Sequence, residues 1–346
     1  MKKKYSVLRG ERSMNEKKSI TTQSFSITKE QTTALKAIAI LTVLIAHGNI
    51  LAKAFETLPV LKDEMIISIF CQGGMCLFLI LSGYGLFLSF CKNGMRNFWD
   101  NKFLKIFFPV IMAQLGWFLI YNVIKSIFEK GVEIRWSTVF ADIVCVSPLN
   151  GIDGSIWYMS FLLFCYLCFY CIFGFIKNTK VAMVVFSVLW IVLMPILIIV
   201  WMYGFYCVSA FAVGVWIAFF SNKKSFNVNI YVRIIASILF IAIGVGYYFV
   251  FRQSRIVDNI ASDIIALAYI ALIGFVNIEK SKVLNFIGKH SFSIYIFQGK
   301  IMFGWFPYEN YSDSIKLLAY IVLFIVNILV AVAFDWVIKR ITDRIN

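Results

Sequence analysis

The sequence predicts an all-α protein, a polytopic membrane helical bundle with about ten transmembrane helices. Two observations carry this. Hydrophobic residues make up 61% of the 346 positions and charged residues only 15%, with a mean hydropathy of +0.83. Soluble domains hold roughly 45–50% and about 25%. Apolar runs of about 18 or more residues, the length that crosses a bilayer as helix, also recur along the chain. A membrane β-barrel is excluded, because its signature is alternating segments of about ten residues.

Residues 1–29 read as a flexible, basic cytoplasmic tail. They contain no apolar core of the kind a cleavable signal peptide needs. Thr28 and Gln31 have capping-box spacing and start the first helix. A single transmembrane domain then fills 30–340, with spans expected at 34–51, 66–90, 103–124, 156–176, 181–201, 204–220, 230–251, 259–277, 285–306 and 315–338. The fifth and sixth spans are joined near Tyr203-Gly204, the alternative being one long element kinked at Pro195.

Charge orients the bundle. With the N-terminus inside, 24 of the 33 Lys and Arg fall on the inner side and nine on the outer. Excess Lys and Arg marks cytoplasmic loops, so both termini are placed in the cytoplasm. The formal charge of +15 therefore does not indicate nucleic-acid binding. The longest outer loop, 125–155, carries Glu129, Glu133, Asp142 and Asp153. Cys165, Cys168 and Cys171 sit in an apolar run without a nearby acid or histidine. They read as packing residues, and neither a metal site nor a disulfide framework is expected.

An ionisable residue inside a span is costly unless it faces a partner or a cavity, so its default reading is functional. His47, deep in the first span, is one of only two histidines. Lys36 precedes it by eleven residues, about 16 Å along the axis and on nearly the same face. A long ligand lying along the helix would touch both, although Lys36 also reads as a snorkelling anchor. Lys102 and Lys105, three apart at the cytoplasmic start of the third span, share a face on a regular helix, with Pro109 a turn later. Two such cations suit a diphosphate or, more plainly, a positive-inside anchor.

Other polar groups follow in chain order. Ser82 and Tyr84 place hydroxyls at mid-membrane depth, among glycines that allow close packing. Asp153, Ser155, Trp157 and Tyr158 gather a carboxylate, a hydroxyl and two aromatics at the outer start of the fourth span. That set suits a sugar acceptor as well as an interfacial belt. His290 reads as a helix-start or headgroup-facing residue, and Gln298, about 12 Å deeper, reaches the level of His47. Asp263, Asn327 and Gln114 are further intramembrane polar groups without an assigned role.

Together these residues resemble the acyltransferase 3 family, integral-membrane acyltransferases that modify bacterial surface polysaccharides, peptidoglycan, lipids and antibiotics. Lys36 and His47 match its basic residue and histidine on the first helix. Ile80-Leu81-Ser82-Gly83-Tyr84 matches the Phe/Leu-x-x-Ser-Gly-Phe/Tyr pattern, and Lys102, Lys105 and Pro109 match the basic pair followed by proline. Gly154-Ser155-Ile156-Trp157-Tyr158-Met159 is similar to the family's tryptophan element, and Gly288 to Ile296, which includes Tyr295, is similar to its late Gly-Lys-x-Ser element.

There are departures. The family's basic pair is usually arginine, a glutamate shortly after the tryptophan element is replaced by Ser160-Phe161-Leu162, and histidine is common where Gln298 stands. His47 is left as the only obvious intramembrane base. The extracellular esterase-like domain of some members is absent from this sequence.

The resemblance implies a membrane O-acyltransferase of the bacterial inner membrane. It would move acetyl, or another acyl group, from cytoplasmic acetyl-CoA to a hydroxyl of a cell-surface polysaccharide or glycolipid. Acetyl-CoA is a co-substrate, and no bound cofactor and no nucleic acid are expected. Lys36, Lys102 and Lys105 would hold the donor. His47 would act as general base or as covalent acyl carrier. Ser82, Tyr84, Asp153, Trp157, Tyr158, Tyr295 and Gln298 would form the acceptor side or pocket. A transporter or flippase of a lipid-linked or sugar substrate is the rival reading, and it would need no donor site.

Overall fold

The computed structural model describes residues 22–24, 27–52, 64–128, 136–145, 156–200, 207–223, 227–250, 254–273, 278–304 and 311–345. The long helices are α1 (Lys29–Ala52), α2 (Glu64–Asn93), α4 (Phe108–Phe128), α6 (Trp157–Phe175), α7 (Thr179–Val200), α8 (Ala210–Lys223), α9 (Ile230–Val250), α10 (Arg255–Leu272), α11 (Lys282–Gly304) and α12 (Asp313–Ile345). Short helices α3 (Phe98–Lys102) and α5 (Trp136–Ile143) precede and follow α4, and a π turn, Phe103–Phe107, links α3 to α4.

Each of the ten expected stretches therefore largely coincides with one long helix. Length and composition alone support fewer crossings: among the described residues, six helices are long and apolar enough to span a membrane. Of the four others, α8 is short and α10 and α11 are more polar. Helix α8 has 14 residues, about 21 Å against a hydrocarbon core of about 30 Å, and α10 carries Asp258 and Asp263. Helices α7 and α8 are separate elements, so the alternative of one long kinked helix does not apply. Pro195 lies within α7 without ending it. The Tyr203-Gly204 connection and Asp153 lie outside the described residues.

Local chemistry sets the helix ends. The Thr28 hydroxyl accepts from the Gln31 N–H at 3.2 Å, and the Gln31 side chain accepts from the Thr28 N–H at 3.1 Å. This is a complete capping box at the start of α1. Asn178 caps α7 by accepting from the N–H of Lys180 and Val181. Within the stretch expected as a tail, Thr22–Ser24 pairs antiparallel with Asn227–Asn229, just before α9.

Helix α2 is the hub, packing against α1, α8 and α10, while α11 lies between α1 and α12 and α9 covers α10. The α2–α8 crossing is close enough to require glycine on both sides. A Cβ on Gly83 would lie 2.2 Å from the Phe211 carbonyl oxygen, and one on Gly214 would lie 2.1 Å from that of Ile80. Small residues of this kind let backbones meet where lipid supplies no hydrophobic drive. Aromatic rings fill the inner space between α2, α6 and α7. Phe169 stacks on Phe173 at 4.3 Å, Phe87 meets Phe173 edge-on at 5.7 Å, and Phe186 stacks on Trp190 at 5.3 Å.

Candidate active site

His47 and Gln298 meet inside the bundle. Nδ1 of His47 lies 2.9 Å from Oε1 of Gln298. Residue 47 is on α1 and residue 298 is on α11, and both helices are held at close range. A Cβ on Gly288 of α11 would lie 1.9 Å from the Thr33 carbonyl oxygen of α1. Gly48, next to His47, lies under the Tyr320 ring of α12, where a Cβ would come within 2.6 Å of it. The Tyr320 hydroxyl donates to the Leu44 carbonyl oxygen. With a carbonyl oxygen facing it, Nδ1 carries the ring proton and donates it, which leaves Nε2 as the basic nitrogen. His47 is half-buried and Gln298 is buried, so the pair is shielded from bulk water.

Three lysines converge at the other end. Lys102 lies within electrostatic reach of both Lys105 and Lys36. Here the structure changes the expected geometry. Lys102 and Lys105 do not sit on a regular helix: the Phe108 N–H reaches back to the Phe103 carbonyl, the i to i+5 pattern of a π turn. Pro109 explains the widening, because it cannot donate to the Lys105 carbonyl and its ring would crowd that oxygen. The two side chains consequently take different surroundings. Lys105 is exposed, while Lys102 turns inward, its Nζ 4.7 Å from the Tyr166 ring centroid and 5.9 Å from that of Phe98. Lys36 is exposed on α1.

Hydroxyls and rings run between the two ends. Ser82 of α2 lies 3.5 Å from the Tyr158 hydroxyl of α6, and its hydroxyl also reaches that of Tyr166. Tyr158 packs edge-on against Tyr295 of α11 at 5.2 Å, and Trp157 against Tyr158 at 6.1 Å. Tyr295 stands three residues before Gln298. The sequence-predicted Ser82, Trp157, Tyr158, Tyr295, Gln298 and His47 are thus brought into one interior tract. Tyr84 is not part of it. Its hydroxyl accepts from the Ile27 N–H at 3.2 Å, at the entry to α1.

Other polar groups are placed differently from expectation. His290 is not a helix-start or headgroup residue: it is buried, and its Nδ1 lies 2.5 Å from Asp335 Oδ2 of α12. The Ser293 hydroxyl donates to the other oxygen of the same carboxylate. Asp263 and Asn259 on α10 both meet the Ser209 hydroxyl. Asn327 donates to the Ile294 carbonyl at 3.2 Å, and Gln114 is buried. None of the eight cysteines is in a disulfide. Among the described residues no group of three His, Cys, Asp or Glu side chains could hold a metal ion.

Tyr166, Tyr320 and Asp335 carry much of this geometry and were not singled out from sequence. Tyr166 and Tyr320 look like ordinary aromatics in apolar spans. Asp335 did carry a signal, since an acidic residue in the last span is the kind of group that calls for a partner.

The fold and the tract together define a polytopic helical membrane protein with an internal histidine–amide pair and a cluster of lysines at one end. A model of the acyltransferase domain that defines the acyltransferase 3 family matches residues 32–336, nearly the whole chain. The chain belongs to that family, and the protein is a membrane acyltransferase. No curated protein and no solved structure matches it.

Proposed function

We propose that the protein transfers an acyl group, acetyl in the simplest case, from cytoplasmic acetyl-CoA to a hydroxyl of a cell-surface polysaccharide or glycolipid. The carrying observation is the His47–Gln298 pair at one end of an interior tract whose other end holds Lys36, Lys102 and Lys105. The lysines receive the donor's phosphates as point charges. The pantetheine arm follows α1 inward, past Ser82 and Tyr158, and brings the thioester to His47.

Two routes fit the ring. In the first, Nε2 takes the proton of the acceptor hydroxyl as its oxygen bonds to the thioester carbonyl carbon. The tetrahedral adduct collapses, the C–S bond breaks, and the imidazolium returns the proton to the leaving thiolate. Gln298 holds Nδ1–H throughout and stabilises the imidazolium. In the second, Nε2 bonds to the acyl carbon as the C–S bond breaks and the CoA thiolate leaves. The acceptor hydroxyl oxygen then bonds to that carbon, the N–C bond breaks, and the hydroxyl proton goes to the departing thiolate or to solvent. Trp157, Tyr158 and Asp153 stand on the acceptor side of this scheme, with the N-terminus inside and the 125–155 loop outside. The enclosing membrane is the inner membrane of a bacterial cell.

The test uses purified full-length protein in lipid with acetyl-CoA radiolabelled in the acetyl group. Transfer of label to a glycan or glycolipid acceptor, or slow hydrolysis without acceptor, is the expected result. No turnover with any short-chain acyl-CoA would refute the donor assignment. Label on His47 that survives a rapid neutral quench of a donor-only pulse and is released by hydroxylamine would select the covalent route.

A further inference from the structure

We propose that Asp335 is a positioning residue for His47, acting through the placement of α11. The inference rests on reading His47 as the acid–base or carrier residue. Helix α12 grips both helices that build the site. At Tyr320 it holds α1, through the Leu44 carbonyl three residues before His47. At Asn327 it holds the Ile294 carbonyl of α11. At Asp335 it holds α11 a second time, through His290 and Ser293.

The Asp335 contact differs in kind from the other two. One carboxylate takes two donors three residues apart on α11, one on each oxygen. That fixes α11 both along its axis and in rotation about it. His290 and Ser293 are both buried, so each donor loses its acceptor without compensation if the carboxylate is removed. Gln298 stands eight residues beyond His290, about 12 Å up the same rigid rod. A hydrogen bond of 2.9 Å between residues 47 and 298 tolerates little shift of that rod. A displacement of about 1 Å at such a site costs up to about a hundredfold in rate.

The cluster lacks the serine–histidine contact of a nucleophilic triad: the Ser293 hydroxyl donates to Asp335 and not to the His290 ring. Asp335 acts at a distance from His47, because its contacts on α11, His290 and Ser293, lie eight and five residues from Gln298.

The test exploits the presence of only two histidines. Full-length protein with 15N-labelled histidine is placed in lipid nanodiscs, and the two ring signals are assigned with His290→Gln. Asp335→Ala is expected to move the His47 Nδ1 signal toward that of an imidazole exchanging between tautomers. It should lower kcat about tenfold while KM for acetyl-CoA stays within about twofold. Asp335→Glu should recover part of both effects. In a Gln298→Leu background Asp335→Ala should add almost nothing, since the two act on one link.

An unmoved His47 signal, or the same fold-loss with and without Gln298, overturns the proposal. If Asp335→Ala does not accumulate in membranes, Ser293→Ala serves. It removes one of the two donors and should shift the His47 signal less but in the same direction, and an unmoved signal there again overturns the proposal. A moved His47 signal with full activity in both Asp335→Ala and His47→Ala would support the positioning and refute the role of His47 itself.

Discussion

His47 and Gln298 are 251 positions apart in the chain and 2.9 Å apart in the bundle. One amide oxygen thereby selects which imidazole nitrogen carries the proton and which is left basic. The chemistry assigned to the site depends on that selection, and so do the first two expectations.

Replacing His47 by alanine should lower acyl transfer at least about a hundredfold, the usual contribution of a positioned acid–base group. Insertion and abundance should be unchanged, since the side chain is only half-buried. Label transfer from radiolabelled acetyl-CoA is compared in membranes of equal protein content. Activity above a tenth of wild type would remove His47 from the chemistry.

Gln298→Leu keeps the volume but removes the acceptor of Nδ1–H. The imidazolium that forms in the transition state then lacks its acceptor, a hydrogen bond to a charged group worth about 1.5–3 kcal/mol, so kcat should fall by roughly ten- to a hundredfold. KM for acetyl-CoA should stay the same, because the lysine end is untouched. Gln298→His, which supplies a ring nitrogen as acceptor, should retain most of the rate. Steady-state kinetics on the three proteins decide it, and equal loss in both variants would mean that Gln298 only packs.

The combined change Lys102→Ala with Lys105→Ala should weaken acetyl-CoA binding by about tenfold or more and leave acceptor binding unaltered. Isothermal titration with each substrate gives the two constants. Arginine at both positions should preserve donor binding, because the charge is kept. Tyr166→Leu should give a smaller donor defect, by releasing Lys102 from the ring face it now covers. A donor constant unaffected by any of these would place the phosphates elsewhere.

Asn93 and the 125–155 loop should face opposite sides of the membrane. Single cysteines are introduced as Asn93→Cys and Gly131→Cys, in a background lacking the exposed Cys91 and Cys171, and labelled with a membrane-impermeant maleimide. Only the second should react in intact cells. Reaction of both from one side would overturn the orientation that the 24 inner and nine outer basic residues support.

Two neighbouring glycines should behave differently. Gly83→Ala forces a methyl group against the Phe211 backbone and should destabilise the bundle by about 1–3 kcal/mol. Gly85→Ala meets nothing within 4 Å and should be close to neutral, or slightly stabilising through higher helix propensity. Thermal unfolding in detergent, followed by thiol exposure, compares the two. Equal midpoints would mean that the α2–α8 crossing yields without cost.

Fold class and the approximate positions of the helices are legible along the chain, because both are one-dimensional properties. A bilayer demands apolar helical stretches of fixed length, and apolar content can be counted along a chain. The capping box of Thr28 and Gln31 was legible for the same reason, its partners being three residues apart. His47 was legible as a candidate because an ionisable group in a span is conspicuous without any neighbour. Which groups meet is a matter of packing and is not legible in this way. That Gln298 faces His47, that Lys102 leaves the face of Lys105 to lie against Tyr166, and that His290 finds Asp335 all follow from how helices far apart in sequence pack and rotate. Those rotations are set by small differences, such as a proline that widens one turn and glycines that let two backbones touch. No local pattern encodes the sum of such contacts.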